Sequence, residues 1–271
     1  MSAKINHMAM VSPIYPMLAK FYEAYFGLKP SGKTSRPLNA VTVGDGYVGL
    51  NINPQRDGYV AAIDHFGMVV DDIDATMERA RKKFPTAAIV KRPSTRPFAS
   101  YSAHDPDGNV FDLSQKDESD KLVGVYAEQS AAGWAQDRYL NKFAIRTLHA
   151  EQCAEFYADV FGLKPVNKSD GEGFHLTDGR VTLNIMQWSI PIFEGMGIKR
   201  PGADHIGFKV ENIDTFKEHV RTTMGGNTFL NPMPLGGNKE AEARKAFLAK
   251  TAGGKMQMAD PGGNWIVVND E

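Results

Sequence analysis

The chain has 271 residues, 42% hydrophobic and 23% charged, long enough for one large domain or for two smaller ones that each bury a core. Its 31 basic and 32 acidic residues are interspersed without long runs and leave a formal charge of -1, so polyanion wrapping is excluded as the main function, and neither nucleic acid nor a membrane is an expected partner. The single cysteine, Cys153, can close no internal disulfide and builds no cysteine zinc site, which fits a reducing interior.

Taken in order, Met1-Ser2-Ala3-Lys4 runs directly into an alternating segment without the apolar stretch of a signal peptide. No run approaches the roughly 20 apolar residues of a membrane span, so a cytoplasmic location is expected. The first strand is Ile5 to Val11. A helix follows, with Leu18, Phe21, Tyr22, Tyr25 and Phe26 at helical spacing and Gly27 as its C-cap. Two short strands, Val41 to Val43 and Val48 to Ile52, are joined by Asp45-Gly46 hairpin chemistry. Ile63-Asp64-His65-Phe66-Gly67 then repeats the Ile5-Asn6-His7 pattern at an offset of 58, and Asp105-Pro106-Asp107-Gly108-Asn109 is a turn that launches the strand Val110 to Ser114. Residues 117–137, polar and Ala/Gly-rich, read as a linker in which Leu122, Val123, Val125 and Tyr126 hint at a docked segment.

Beyond the linker the chain repeats itself. Phe21 to Pro30 returns as Phe156 to Pro165, His65 returns as His205, and the Asp-Pro turn returns as Asp260-Pro261-Gly262-Gly263-Asn264. The second copy carries about 15 extra residues between its last two landmarks. They fall near residues 231–253, where glycine pairs bracket a Lys/Glu/Ala-rich helix. The reading is α+β: two tandem domains, 1–116 (modules 4–54 and 62–115) and 138–271 (modules 138–187 and 202–270), each built from two β-α-β-β-β modules.

Paired modules with an Ile-x-His opening strand, a Phe-Tyr-x-x-x-Phe-Gly-Leu helix end and an Asp-Pro-Asp-Gly-Asn turn resemble the vicinal oxygen chelate superfamily. That superfamily includes glyoxalase I, extradiol catechol dioxygenases, methylmalonyl-CoA epimerase, and fosfomycin and bleomycin resistance proteins. The resemblance spans nearly the whole chain and implies a half-open sheet whose concave face holds a divalent metal. His7 and His65 occupy the third position of their opening strands. Alternation places Phe111 and Leu113 toward the helices and Val110, Asp112 and Ser114 toward the concavity. The metal ligands implied are His7, His65 and Asp112, with Asp112 standing where the family has the longer Glu. Two imidazoles and one carboxylate leave coordination positions open, which favours Fe(II), with Mn, Zn, Ni or Co also suited.

A strand histidine usually packs or meets solvent, and it is the equivalence of His7 and His65 that raises them above that reading. His104, whose ordinary reading is surface polar, and Tyr101 are expected as acid/base groups or substrate contacts, Asn51 and Asn53 as substrate contacts, and Arg92 and Arg96 as a rim clamp for a substrate carboxylate or phosphate, where the ordinary reading is a solvated loop. In the second half Lys142 stands opposite His7 and Val267 opposite Asp112, so only His205 survives. That half reads as a structural or oligomerisation partner, or as a metal-free cup lined by His175, His205 and Trp265, and it leaves room for a homo-oligomer. Trp134 and Trp188, and Met8, Met10 and Met68 beside the histidines, read as packing residues.

The resemblance implies a metal-dependent oxidoreductase similar to extradiol ring-cleaving dioxygenases, acting on a small molecule with adjacent oxygens. The alternatives are a metal-free binding protein similar to bleomycin resistance proteins, and a glyoxalase-type lyase or isomerase. Glyoxalase I would need a further carboxylate in the strand that here reads Gly49-Leu50-Asn51-Ile52-Asn53.

Overall fold

The computed structural model describes residues 3–30, 40–96, 99–116, 136–166, 171–192 and 200–271. Most of the expected linker, with Trp134 and the segment around Leu122, lies outside the described residues, as does the side chain of Arg96.

In the first half the opening strand β1 (Lys4–Ser12) leads to helix α1 (Tyr15–Phe26), and β2 (Lys29–Pro30), β3 (Val41–Gly44) and β4 (Gly49–Pro54) complete the module. The second module runs β5 (Ala62–Val70), α2 (Ile73–Lys83), β6 (Ile89–Arg96), β7 (Ala99–His104) and β8 (Val110–Gln115). Gly27 ends α1 at φ 68°, where a side chain would be strained; its N–H donates to the Glu23 carbonyl and the following Leu28 N–H to that of Tyr22. Asp72 caps α2 by accepting from the Ala75 N–H.

The second half repeats the plan with β9 (Tyr139–Thr147), α3 (Ala150–Phe161), β10 (Lys164–Pro165), β11 (Phe174–Thr177) and β12 (Thr182–Gln187). Then come β13 (Gly202–Lys209), α4 (Ile213–Gly226), the 3-10 turn Thr228–Leu230, α5 (Lys239–Ala252), β14 (Met256–Ala259) and β15 (Trp265–Asn269). Helix α5 is the insertion expected from the repeat offsets.

The strands form two mixed sheets, ordered β2-β3-β4-β1-β5-β8-β7-β6 and β10-β11-β12-β9-β13-β15-β14. In each, the opening strands of the two modules lie side by side and antiparallel at the centre, β1 with β5 and β9 with β13. Each opening strand also pairs in parallel with the last strand of a module, β1 with β4 and β5 with β8.

The halves do not bury separate cores. One continuous apolar cluster contains α1 and α3 together with the inward faces of both sheets. Phe26 of α1 stacks on Phe208 of β13 at 3.7 Å between ring centroids, and Phe66 of β5 meets Phe143 of β9 at 5.0 Å. The physical reason is the aromatic content of the repeated helix: Phe21, Tyr22, Tyr25 and Phe26, like Phe156, Tyr157 and Phe161, offer more apolar surface than one sheet can cover.

Polar contacts across the boundary obey the same pseudo-two-fold. Asp45 accepts from the Leu140 N–H and Asp178 from the Ile5 N–H, both at 2.8 Å. Tyr22 donates to Asp260 and Tyr157 donates to Asp105. With their helix-bearing faces packed together, the two sheets turn their other faces outward.

Candidate metal centre

Three strands of the first sheet bring the site together. His7 of β1 lies beside Gly67 of β5, and Gly67 lies beside Asp112 of β8. Directly opposed residues share a face of a sheet, so His7 and Asp112 point the same way with only a glycine between them. That glycine is needed, because a Cβ on Gly67 would stand 2.0 Å from Cε1 of His7. His65, two residues earlier on β5, points to the same side.

The ligand atoms of His7, His65 and Asp112 all lie within 4.8 Å of one another. Oδ2 of Asp112 is 3.2 Å from Nε2 of His65 and 3.6 Å from Nε2 of His7, and the two rings meet edge to face at 5.7 Å. Ligands about 2.0–2.2 Å from one ion stand roughly 3–3.6 Å apart, so these separations suit a shared cation. His7 is buried and His65 half-buried, while Asp112 is 5% exposed.

The far ring nitrogens are held as well. Nδ1 of His7 donates to the Asn6 side-chain carbonyl at 3.0 Å, and Nδ1 of His65 lies 2.6 Å from Asp64 Oδ2. Anchoring Nδ1 turns Nε2 of each ring to the common point, the arrangement that orients metal-binding histidines. Simple alternation would send Asn6 and Asp64 to the opposite face. Register shifts skip Asn6 between Ile5 and His7, and skip Asp64 between His65 and Ile63, and each bulge places successive side chains on one side. Reasoning from a strict period of two therefore missed both partners, although the acceptor immediately before each histidine was visible.

The electrostatics follow from this packing. Burial opposes charge on His65, but hydrogen bonds to Asp112 and Asp64 outweigh it and raise the imidazole to about 9. Burial would likewise raise Asp112, yet the hydrogen bonds from His65 and His7 reverse the effect and hold it well below the usual carboxylate range.

A cavity of about 370 Å³ opens over the centre. Ala9, Val11, Asn51, Asn53 and Pro54 line one side, with Asp64, His65, Arg92, Ala99, Val110 and Asp112 opposite and Arg56 and Tyr59 completing the lining. Asn51 accepts from the Thr42 hydroxyl and Asn53 donates to the Met10 carbonyl, so both are oriented at the wall.

Arg92 is placed deeper than the rim position expected of it. Its Nη2 donates to Oδ1 of Asp112 and its Nε to the Ser102 hydroxyl at 2.8 Å. Oδ1 of Asp112 is thereby held by the guanidinium, leaving Oδ2 toward the histidines.

Two expected contributors lie elsewhere. Tyr101 pairs with Leu113 and packs against the apolar core, on the face opposite Asp112. His104 shares the face of Val110, but its ring is tied at the β6 side, where Nε2 accepts from the Ala88 N–H and Nδ1 donates to the Asp105 carbonyl. Neither of these two, expected to supply acid/base chemistry, is among the residues that line the cavity. Met8, Met10 and Met68 are fully buried in the core.

The second half lacks the constellation. Gly207 sits between Lys142 and Val267 as Gly67 sits between His7 and Asp112. The bulge recurs at Asp204, whose carboxylate takes His205 Nδ1 at 2.7 Å and Arg146 Nε at 2.8 Å. The last turn of α5 closes the concavity: Leu248 and Ala252 pack on Val267 and Trp265, and the Ala252 carbonyl accepts from Lys142. The cup expected to be lined by His175, His205 and Trp265 is thus covered from within the chain. No helix among the described residues is long and apolar enough to cross a membrane.

Comparison with known proteins bears on the fold. No curated protein sequence matches the chain. The Mn(II)-bound glyoxalase from Novosphingobium aromaticivorans superposes with a TM-score of 0.61 at 16% identity, over 98% of this chain and 81% of that one. Homoprotocatechuate 2,3-dioxygenase from Arthrobacter globiformis gives 0.59 at 15% identity, over 100% and 80%. A xylose isomerase-like TIM barrel/4-hydroxyphenylpyruvate dioxygenase fusion protein gives 0.56 at 12% identity, where 82% of this chain covers only 38% of the fusion. At such identities the likeness is one of fold. The sequence profile of one superfamily matches residues 4–113 and again 139–268. With both halves matched and the four-module architecture in place, the chain belongs to the Glyoxalase/Bleomycin resistance protein/Dioxygenase superfamily.

Proposed function

We propose that the N-terminal cup is a divalent-metal site at which a small substrate with two adjacent oxygens is oxidised, with Fe(II) the favoured ion and dioxygen the co-substrate. The observation that carries this reading is the convergence of His7 Nε2, His65 Nε2 and Asp112 Oδ2, with both Nδ1 atoms anchored. Such a donor set suits Fe(II) oxygen chemistry because it leaves several coordination positions open, and it also accepts Mn, Zn, Ni or Co. Bound there, the metal would supply Lewis acidity and redox electrons.

The chain's own residues do the rest. Asn6 and Asp64 fix the tautomer and aim of the histidines. Asn51 and Asn53 offer amides to the substrate oxygens, and Val11, Pro54, Ala99 and Val110 form apolar walls that suit a flat ring. Arg92 holds Asp112 to one inward oxygen and presents its remaining N–H groups to the cavity, where a substrate carboxylate can meet them. Oxidation is favoured over glyoxalase-type lyase chemistry because Asn51, not a carboxylate, stands at the wall across from Asp112, and no further carboxylate beyond Asp64 lines the cavity among the described residues.

One observation favours a second reading, a metal-free binding cup. Asp112 is already satisfied within the protein by Arg92, His65 and His7. Elemental analysis after purification without chelator, followed by oxygen uptake with catechol and added Fe(II), separates these. A stoichiometric divalent ion with uptake is expected. Metal without uptake moves the assignment to lyase or isomerase chemistry, and no metal with catechol binding indifferent to chelator moves it to the binding cup.

A further inference from the structure

The concave face of the second sheet carries polar side chains that the metal centre does not explain. In register, His175, Asn184, Ala144, His205 and Trp265 stand side by side on β11, β12, β9, β13 and β15. Ala144 contributes only a methyl group, so Asn184 and His205 flank it with their strands about 10 Å apart. Both are 0% exposed. Yet neither Oδ1 nor Nδ2 of Asn184, nor Nε2 of His205, has a hydrogen-bond partner among the described residues. Buried polar groups are rarely left so, and three such atoms around one methyl floor point to an occupant.

The pseudo-two-fold supplies an independent indication. Ala144, Arg146, Asn184, Asp204 and His205 correspond to Ala9, Val11, Asn51, Asp64 and His65, and all five of those line the cavity of the first half. The same place in the fold is an open cavity there. Lys142 replaces His7 and Arg146 replaces Val11, each 1% exposed.

The polar atoms dictate the chemistry of the occupant. The Asp204 carboxylate only accepts, so Nδ1 of His205 carries the ring proton. Burial holds that ring neutral, which makes Nε2 an acceptor. The charged groups acting most strongly on His205 are Asp204, Lys142 and Arg146, two cations against one carboxylate. An occupant must therefore offer anionic oxygen toward Lys142 and the Asn184 amide, and an O–H toward His205 Nε2.

We propose that the C-terminal cup is a second binding site, enclosed beneath the last turn of α5, for a small hydroxylated oxyanion of the 2-hydroxycarboxylate type seated over Ala144 between Asn184 and His205. It stands independently of the metal reading of the first cup.

The test is thermal unfolding of the full chain against glycolate, with chloride at equal ionic strength as reference. Glycolate is expected to raise the midpoint saturably in the unmodified protein and equally in His65→Ala. Asn184→Leu is expected to abolish the rise, and Lys142→Met to weaken glycolate at least tenfold. If Asn184→Leu does not fold, Asn184→Asp must abolish the rise by repulsion. A protein that ignores glycolate, or a rise that survives the Asn184 substitution, overturns the site. A rise lost in His65→Ala assigns the anion to the first cup and overturns it equally. Asn184→Leu raising the midpoint by itself, with glycolate inert, would mean that the chamber holds water only.

Discussion

Asp64 and His65, neighbours in sequence, lie on the same face of β5 with Oδ2 and Nδ1 2.6 Å apart, because a bulge at Asp64 breaks the alternation of the strand. The carboxylate both orients the imidazole and strengthens it as a ligand. Asp64→Ala is therefore expected to lower divalent metal affinity about 10- to 100-fold without unfolding the protein. Titration of metal with a competing chelator checks this, and an unchanged affinity would remove Asp64 from the site.

The pH dependence follows from His65. Its imidazole titrates at about 9 in the folded chain against roughly 6.5 when unfolded, so the stabilisation it brings is complete below pH 6.5 and disappears as pH rises through 9. Metal-free protein should lose stability over that window, with a slope of at most roughly 1.4 kcal/mol per pH unit. Metal must displace the same proton, so its apparent affinity should climb toward pH 9. Urea unfolding and metal titration at several pH values, with His65→Gln flattening both profiles, are the measurements.

Gly67 is the seat of the His7 ring. Gly67→Ala puts a Cβ 2.0 Å from Cε1 of His7 and must displace the imidazole, since the strand cannot yield. Metal content after dialysis should fall to the level of His7→Ala. Retention of metal at full stoichiometry would show that the ring is not a ligand.

Asymmetry between the halves is tested by paired substitutions. His65→Ala should remove the metal, whereas His205→Ala should leave it, because Lys142 and Val267 stand where the other two ligands would be. Equal loss from both, or two ions per chain, would contradict the assignment to the first half.

The halves are latched by buried phenols. Tyr22 donates to Asp260 at 2.8 Å, and its removal leaves a buried carboxylate short of one donor. Tyr22→Phe should cost roughly 1–3 kcal/mol of stability. Equilibrium denaturation of the full chain measures it, and a change within a few tenths would mean the latch contributes nothing.

Repetition was legible without coordinates because each module must solve the same local problem. Alternation names the opening strands, helical spacing with a C-cap glycine ends α1 and α3, and an aspartate before proline sets each final turn. The equivalence of His7 with His65, and the inward face of Asp112, follow from those periodicities and are met in the register of β1, β5 and β8. The extra helix of the second half was visible as a difference in offset.

Tertiary structure alone decided what periodicity cannot carry. Bulges placed Asn6 and Asp64 beside their histidines, since a skipped pairing is a property of two strands and not of one. Strand register turned Tyr101 to the core, and a hydrogen bond from the Ala88 N–H, sixteen residues earlier, tied down His104. Arg92 reached Asp112 from β6 across the intervening strand β7, a contact between residues twenty apart. Whether the second cup stays open depended on where the last turn of α5 comes to rest, and that is fixed by its packing on Val267 and Trp265. The halves merged into one core for the same kind of reason: apolar area counts only once a partner surface is in place to cover it.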